Sequence, residues 1–240
     1  MPLFYAFEPR NATAASPPAY TLQRTPRARR LSLRIAPHTG VVVIAPPQAP
    51  AAVIEAFVRR HQPWVARQWQ RLAAAAADVP QRWPYGETLP YRGAEYPVQV
   101  EAGPHTVVAR AEGCLRVQMR RPNVLGARRL LKRWYMAEAQ RCCLVQAQAW
   151  RPRLRVTWTH CQVRDQRARW GSCSATGRLS FNYRLVMAPP AVLDYVVLHE
   201  LAHRREMNHS SRFWALVAAH CPAYREALHW LKRYGPYLGV

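Results

Sequence analysis

The segment 196–203, VVLHELAH, constrains this chain more than any other stretch, because it inserts three polar side chains into an apolar sequence. Two prolines at 189–190 precede it, so we predict a buried helix that begins just after them. His199 and His203 are four residues apart and project from one helix face, about 6 Å apart along the axis. That spacing lets both imidazoles bind one Zn²⁺. Glu200 lies beside them, where it can take a proton from an attacking water.

Burial of these polar groups needs a physical reason. A buried glutamate between two histidines is costly unless it is paired or lies near a metal. The alternative to a metal site is a core helix whose two histidines have ordinary hydrogen-bond partners. The cost of burying Glu200 favours the metal site.

A catalytic zinc site requires a third protein ligand, and His209 is the first candidate. A continuous helix would place His209 roughly 240° around the axis from His203, on the wrong face. We therefore predict that the helix ends between them, where Asn208 tolerates the left-handed conformation common at helix ends. Ser210 or Ser211 can then cap a new helix, and the turn between the helices can return His209 to the metal.

The spacing of the three histidines equals that of the long motif H-E-x-x-H-x-x-G-x-x-H, but Glu206 occupies the glycine position. The turn should therefore differ from the turn in enzymes with that motif. His209 has an alternative role as a helix-capping residue. In that case Glu206 or Glu226 would supply the third ligand.

Four ordered segments lie between residues 169 and 214. They are RWGSCS at 169–174, LSFNYRL at 179–185, LDYVVLHELAH at 193–203 and NHSSRFW at 208–214. Together they resemble the YgjP-like family of zinc metallopeptidases, which is distantly similar to the SprT-like and WLM domains. The chain has no C-x-x-C pair, so it lacks the zinc-binding tail that some SprT-like relatives carry.

The resemblance implies a zincin-like lobe with His199, His203 and His209 as metal ligands and Glu200 as the catalytic base. In zincin-like proteins an edge strand before the metal helix pairs with an extended peptide substrate. Residues 178–186 alternate apolar and polar side chains and are the candidate for that strand. An ordinary core strand with a charged outer face is the equal alternative. The resemblance implies no particular substrate.

The pattern along the chain predicts an α+β fold with two lobes. The first, residues 1–122, is a β-rich lobe that contains a helix at 51–77, with Pro63 predicted to kink it or to separate two helices. Its remaining elements are short strands at 20–24, 31–35 and 41–45, the second and third joined by a turn at 37–40, followed by a β-meander over 85–117.

The second lobe, residues 123–240, is the predicted metal-binding lobe. Asn123 should cap a helix that reaches about residue 150 and packs beside the metal helix. Strands are predicted at 155–158, 161–164 and 178–186, and one or two helices at 213–234 are interrupted at Pro222.

A formal net charge of +22 favours anionic partners. Only Lys132 and Lys232 are lysines, and the many arginines and alanines indicate a compositional bias, so we expect only weak, nonspecific binding of nucleic acid. We find neither a signal peptide nor a membrane span, and we expect a cytoplasmic protein. Cys173, inside RWGSCS, is either a catalytic thiol or, with better support, a buried structural cysteine.

The sequence therefore favours a metal-dependent hydrolase that uses Zn²⁺ or another divalent transition metal and acts on a peptide or protein. One alternative is a nucleoside triphosphate pyrophosphohydrolase on the same metal site. Another is a noncatalytic, nucleic-acid-associated module with a structural metal, although Glu200 would then have no role. Asn182, Tyr183 and Arg169 are the candidates for stabilising the oxyanion.

Overall fold

The computed structural model describes residues 19–36, 40–76, 87–166 and 168–240. The chain forms two compact units, Met1–Val79 and Pro80–Val240. Helices and mixed sheets occur together, which confirms the predicted α+β class. The boundary predicted at residues 122–123 lies inside the second unit. In the described residues, no helix has both the length and the apolar character that crossing a membrane requires.

The first unit contains a three-stranded sheet and one long helix. The strands are β1 (Thr21–Arg24), β2 (Ser32–Ala36) and β3 (Gly40–Ala45), close to the predicted positions. β3 lies in the centre, parallel to β1 and antiparallel to β2. Most of the turn predicted between β2 and β3, at 37–39, lies outside the described residues.

Helix α1 (Ala51–Ala76) continues across Pro63, so two helices do not meet there. The predicted last residue, 77, lies outside the described residues. Ile54 and Val58 of α1 are buried with Val43 and Ala45 of β3 and form the core of this unit. Apolar side chains that recur at helical spacing therefore hold α1 to the sheet.

The second unit begins with a four-stranded sheet. Its strands are β4 (Thr88–Tyr91), β5 (Ala94–Ala102), β6 (Val107–Ala111) and β7 (Cys114–Met119). The order is β4-β5-β7-β6, with β5 parallel to β7. The predicted meander is wrong in this respect, because β7 lies between β5 and β6. The hairpin of β6 and β7 turns back so that β7 pairs with β5 in the same sheet.

Helix α2 (Val124–Leu154) begins as predicted, since the side chain of its N-cap Asn123 accepts a hydrogen bond from the backbone N–H of Gly126 at 2.7 Å. It ends at Arg155, which has the left-handed conformation (φ 53°) and closes the last turn. The strand predicted at 155–158 is therefore wrong, because these residues finish the helix and leave it. Tyr135 anchors α2 to the four-stranded sheet through a 2.8 Å hydrogen bond from its hydroxyl to the carbonyl of Pro90 on β4.

A second sheet of three strands lies beside α2. The strands are β8 (His160–Arg164), β9 (Gly171–Cys173) and β10 (Arg178–Asn182), in the order β8-β10-β9. The predicted strand 178–186 ends at Asn182 and continues as a 3-10 helix, Tyr183–Met187. β10 is central and largely buried, so of the two equal alternatives the structure excludes the edge strand and favours the core strand. β9 lies at the edge instead.

Three helices complete the second unit: α3 (Pro190–Ala202), α4 (Ser211–His220) and α5 (Tyr224–Tyr234). The predicted interruption near Pro222 separates α4 from α5. α2 packs against α3, as predicted, and α3 is also in contact with β9, α4 and α5. This position places one face of α3 toward β9 and α4, where the predicted site residues lie.

Candidate metal centre

Helix α3 contains His199, and His203 is the residue that caps its C-terminal end. The apolar sequence of α3 keeps the helix buried. Pro190 occupies the first turn, where a missing N–H costs nothing. Most of the following side chains are buried, including Val197, Leu198 and Leu201, whose side chains are fully inaccessible to solvent. His199 and His203 lie one turn apart on the face that meets α4.

The chain turns sharply between His203 and α4. α3 ends at Ala202, and the N–H groups of Arg204 and Glu206 donate to the carbonyls of Leu201 and Ala202 at 2.9 and 3.0 Å. Ser210 then caps α4 by accepting a hydrogen bond from the N–H of Phe213 at 3.3 Å. Both the break and the serine cap agree with the sequence prediction.

The expected left-handed residue at this turn is absent. Asn208 is not among the described residues with positive φ, so α3 ends without that conformation. The N–H of Ser210 donates to the carbonyl of Asn208 at 2.8 Å, which tightens the turn before α4. The glycine found at position 206 in related long motifs is therefore not needed, because this turn needs no positive φ.

This turn brings three imidazoles together. One ring nitrogen from each of His199, His203 and His209 lies within 4.8 Å of the others. Nε2 of His199 and Nε2 of His209 are 3.0 Å apart. Nitrogens that bind one tetrahedral zinc ion at ~2.0–2.1 Å are about 3.3 Å from each other. The pair of His199 and His209 is close to that spacing, and the three rings are grouped closely enough that they could hold one metal ion.

The outer nitrogens of two rings have protein partners. Nδ1 of His203 is 3.1 Å from the carbonyl oxygen of Glu206, and an oxygen there accepts only from a protonated nitrogen. Nδ1 of His199 lies 3.3 Å from the hydroxyl of Tyr195, one turn earlier in α3. The carbonyl of Glu206 therefore fixes the proton on Nδ1 of His203 and leaves its Nε2 as the ligand atom. The hydroxyl of Tyr195 can donate or accept, so its contact orients the ring of His199 without fixing the tautomer.

The surroundings of His199 and His203 favour the neutral form of both imidazoles. Burial, followed by the neighbouring His203 and His209, lowers the pKa of His199 to about 4. Burial also lowers the pKa of His203. A metal binds the neutral form of imidazole. The grouping of the three rings, the partners of Nδ1 in His199 and His203, and the lowered pKa of these two residues together fit a divalent transition metal.

The ring of Phe213 packs against all three imidazoles of the cluster. Its ring is fully buried and its centroid lies 4.6 to 4.9 Å from the centroids of His199, His203 and His209, stacking on His203. Trp214 stacks on His209 at 5.7 Å. Trp214 also lies 5.9 Å from the ring of His199, on the histidine side of α3. These two aromatic residues restrict how the three imidazoles can rotate.

Glu200 lies beside the histidines and packs against β9. Its side chain is only 6% exposed. A β-carbon added to Gly171 would be 2.6 Å from both Cγ and Oε1 of Glu200, closer than such contacts can be. Burial raises the pKa of Glu200 to about 7, while the positive charge of Arg169 opposes this shift. A carboxylate with a pKa near neutrality is suited to accept and return a proton.

The loop between β8 and β9 is fixed by Asn182. Its Nδ2 donates to the carbonyls of Gln166 at 2.8 Å and Arg169 at 3.0 Å, and its backbone N–H donates to the carbonyl of Trp170 at 2.8 Å. The amide of Asn182 is therefore occupied by the loop backbone and does not face the histidines. Arg169 itself is exposed and close enough to act on the charge of Glu200.

The other residues singled out in the sequence have different positions. Tyr183 is 1% exposed, beside Arg184 and Lys132. In the part of the chain that the structure describes, the histidine cluster contains neither Glu206 nor Glu226. Of the three candidates for oxyanion stabilisation, only Arg169 keeps a position near Glu200.

Cys173 behaves as a structural residue. It lies on β9, is half-buried, and its thiol contacts the carbonyl of Ser174 at 3.5 Å. Burial raises the pKa of this thiol, and the charge of Glu200 adds to the effect while Arg204 opposes it. A nucleophilic cysteine needs a lowered pKa. The catalytic alternative for Cys173 therefore has no support.

An α+β unit in which H-E-x-x-H lies on a buried helix and a third histidine joins it from a following turn defines a candidate three-histidine metal centre. The chain belongs to the YgjP-like family, since the family model described as the YgjP-like metallopeptidase domain matches residues 29–234. This match confirms the resemblance drawn from the four ordered segments. Neither the curated proteins nor the solved structures contain a significant match to the chain.

Proposed function

We propose that this protein is a zinc metallopeptidase in which His199, His203 and His209 hold the metal and Glu200 is the general base. The family match supports the general class, a metal-dependent peptidase. The particular residues and the choice of zinc are our proposal. Another divalent transition metal would use the same three imidazoles.

One observation carries this proposal: three imidazoles are grouped together beside a buried glutamate. A structural metal site is closed by four protein ligands, whereas a catalytic site has three and leaves one position open. In the described residues the cluster contains three potential ligands. Glu200 would serve no purpose in a closed site, and its burial is costly without a role.

In this proposal the metal and the side chains of the protein have separate catalytic roles. When bound, a divalent metal supplies Lewis acidity, which polarises a carbonyl and makes water easier to deprotonate. Glu200 accepts the proton of the attacking water and returns it to the leaving amine. Its raised pKa suits both steps at neutral pH. The exposed guanidinium of Arg169 is the candidate for stabilising negative charge that develops on the substrate.

The edge strand β9 supports a peptide as the substrate. Its neighbours Trp170 and Ser174 make backbone hydrogen bonds to β10. Antiparallel pairing alternates along a strand, so the N–H and C=O groups of Gly171 and Cys173 point away from β10. An extended peptide that pairs with these groups passes beside Glu200, because Gly171 packs on that side chain.

The cytoplasm is the proposed location. All six cysteines are free, although Cys142 and Cys143 are adjacent and Cys161 lies near enough to raise the pKa of Cys143. Proteins in reducing compartments keep their thiols unpaired.

The decisive experiment is product analysis of zinc-loaded protein incubated with a panel of peptides and, separately, a panel of nucleoside triphosphates. Glu200→Gln is the control, because it preserves shape and removes the base. We expect peptide cleavage by the wild type, reduced about 10²–10⁴-fold in Glu200→Gln, with the metal retained in both proteins.

Two results would replace the proposal. Hydrolysis confined to the triphosphates, and lost in Glu200→Gln, would assign a nucleotide hydrolase to the same site. A metal that binds tightly with no turnover in either panel, together with a fourth protein ligand, would make the metal structural.

A further inference from the structure

One exposed face of α1 carries a tryptophan among arginines. Arg60, Trp64, Arg67 and Arg71 occur at i, i+4, i+7 and i+11 within Ala51–Ala76. At about 100° per residue, these four side chains lie within a band of about 60° around the helix axis. All four are exposed. We call these four residues the α1 face.

The α1 face does not contribute to the core of its unit. Among the side chains of α1 whose burial is described, the buried ones are Ile54, Val58 and Val65, which lie about 110° to 150° around the axis from the centre of the α1 face. Trp64 is 37% exposed, and none of the other large hydrophobic residues exposed in the described part of the chain is aromatic. Part of the indole therefore remains open to solvent, outside the core of the unit.

The charge of the α1 face has one sign. Glu55 is the acidic residue of α1, and it lies about 150° around the axis from the centre of the face. None of the three arginines forms an ion pair within the described residues. The face therefore presents three guanidinium groups, none of them ion-paired within the described residues, on both sides of a partly exposed indole.

We propose that the α1 face binds single-stranded nucleic acid. A base stacks on the indole of Trp64, and the guanidinium groups of Arg60, Arg67 and Arg71 contact phosphates on either side. The arginines extend over about 16 Å of helix, which is the length of a few nucleotides. An acidic peptide would be attracted by the arginines but would leave the indole unused, whereas stacking on an aromatic ring is characteristic of single-strand binding.

This inference does not depend on the metal site, and it sharpens the expectation drawn from composition. The net charge predicted weak, nonspecific nucleic-acid binding by scattered arginines. The structure gathers three of them with a tryptophan on one helix face. Stacking and phosphate contacts tolerate any sequence, so binding at this face remains sequence-independent and salt-sensitive.

The experiment measures fluorescence anisotropy of a labelled oligothymidylate of about 12 nucleotides titrated with the full-length protein at several salt concentrations. Trp64→Ala should weaken binding about 10-fold, and Trp64→Phe should retain most of the affinity because an aromatic ring remains. Each of Arg60→Gln, Arg67→Gln and Arg71→Gln should reduce the salt slope by about 0.7. Arg59→Gln is the matched control, since Arg59 is also exposed but lies about 110° away from the centre of the face.

Two outcomes would overturn the proposal. In the first, Trp64→Ala and the three arginine variants bind as tightly as Arg59→Gln. In the second, a polyglutamate peptide of equal charge competes as well as unlabelled oligothymidylate and is insensitive to Trp64→Ala, which would make the face a surface for acidic proteins. Because the arginine side chains are exposed and Trp64 is partly exposed, every variant should remain folded at the assay temperature, and thermal unfolding is the control for this.

Discussion

Gly171 and Glu200 pack so closely that a β-carbon at position 171 would force the side chain of Glu200 to move. An added β-carbon would lie 2.6 Å from Cγ and Oε1 of Glu200 and 2.8 Å from Cδ. The backbone of edge strand β9 therefore forms the wall against which the proposed base is held. This contact links a glycine in RWGSCS to a glutamate in HELAH, two segments that the sequence could only connect through resemblance.

Gly171→Ala should displace the Glu200 carboxylate without disturbing the three imidazoles. We expect the metal to remain bound and peptide turnover to fall by about 10²-fold or more, because a misplaced base loses its contribution. Steady-state kinetics should show the loss mainly in kcat. Gly239→Ala is the matched control, since a β-carbon added at Gly239 would be 3.7 Å from its nearest neighbour, Nε of Arg184, which is an ordinary contact. Wild-type kcat in Gly171→Ala would show that the position of Glu200 does not matter.

His209→Ala tests the third ligand. We expect about one divalent metal per wild-type chain and an affinity loss greater than about 100-fold in the variant, which exceeds the usual cost of removing an outer-shell partner. Competition with a chromophoric chelator measures this affinity. His229→Ala, an exposed histidine on α5, is the control. If His209→Ala binds metal like the control, Glu206 or Glu226 becomes the better candidate.

Phe213→Leu tests whether the ring beneath the cluster holds the imidazoles in place. Leucine preserves apolar burial but removes the stacking surface, so we expect metal affinity to fall by about 10-fold, as for an outer-shell residue. Phe181→Leu on β10 is the matched control, because Phe181 is equally buried and makes no ring contact with the histidines. Both variants should lose a similar free energy of unfolding, about 1–2 kcal/mol. Equal metal affinity in the two would limit Phe213 to packing.

The convergence of the histidines follows from features visible in the sequence. One helical turn separates His199 from His203, and a serine at the start of the next helix indicates where the chain must bend. The position of Phe213 follows from the same cap, since it is the third residue of a helix capped by Ser210. Asn208 shows the limit of this reasoning, because a tight turn of ordinary φ ends α3 where a left-handed residue was expected.

The arrangement of strands could not be predicted from alternation. Leu179 and Phe181 alternate with Ser180 and Asn182, which suggested a strand with one exposed face. Ser180 and Asn182 are 7% and 4% exposed because both bind the preceding loop: Ser180 accepts a hydrogen bond from Gln166, and Asn182 donates to that loop's backbone. Polar side chains satisfied inside the protein have the same local pattern as solvated ones, so the pattern cannot identify the edge strand.

A pH-dependent contribution to stability should come from Asp165, at the start of the loop that carries Arg169. Its carboxylate accepts hydrogen bonds from Lys132 at 2.6 Å and Arg184 at 2.7 Å. Burial alone would raise the pKa of Asp165, but these two partners outweigh burial and hold it below its usual value. A carboxyl group with a lowered pKa in the folded state stabilises the fold above its unfolded pKa, about 4, and loses that contribution as the pH falls further.

Asp165→Asn should therefore reduce the free energy of unfolding at pH 7 and matter little at low pH. The expected loss at pH 7 is about 1 kcal/mol, discounted for solvent screening because the side chain is 35% exposed. Urea denaturation at pH 7 and pH 3 measures both values. Glu112→Gln is the control, since Glu112 pairs with Arg116 at 2.8 Å but is 78% exposed and should change stability less. A loss of equal size at both pH values would mean that shape, and not the ionised carboxylate, fixes this loop.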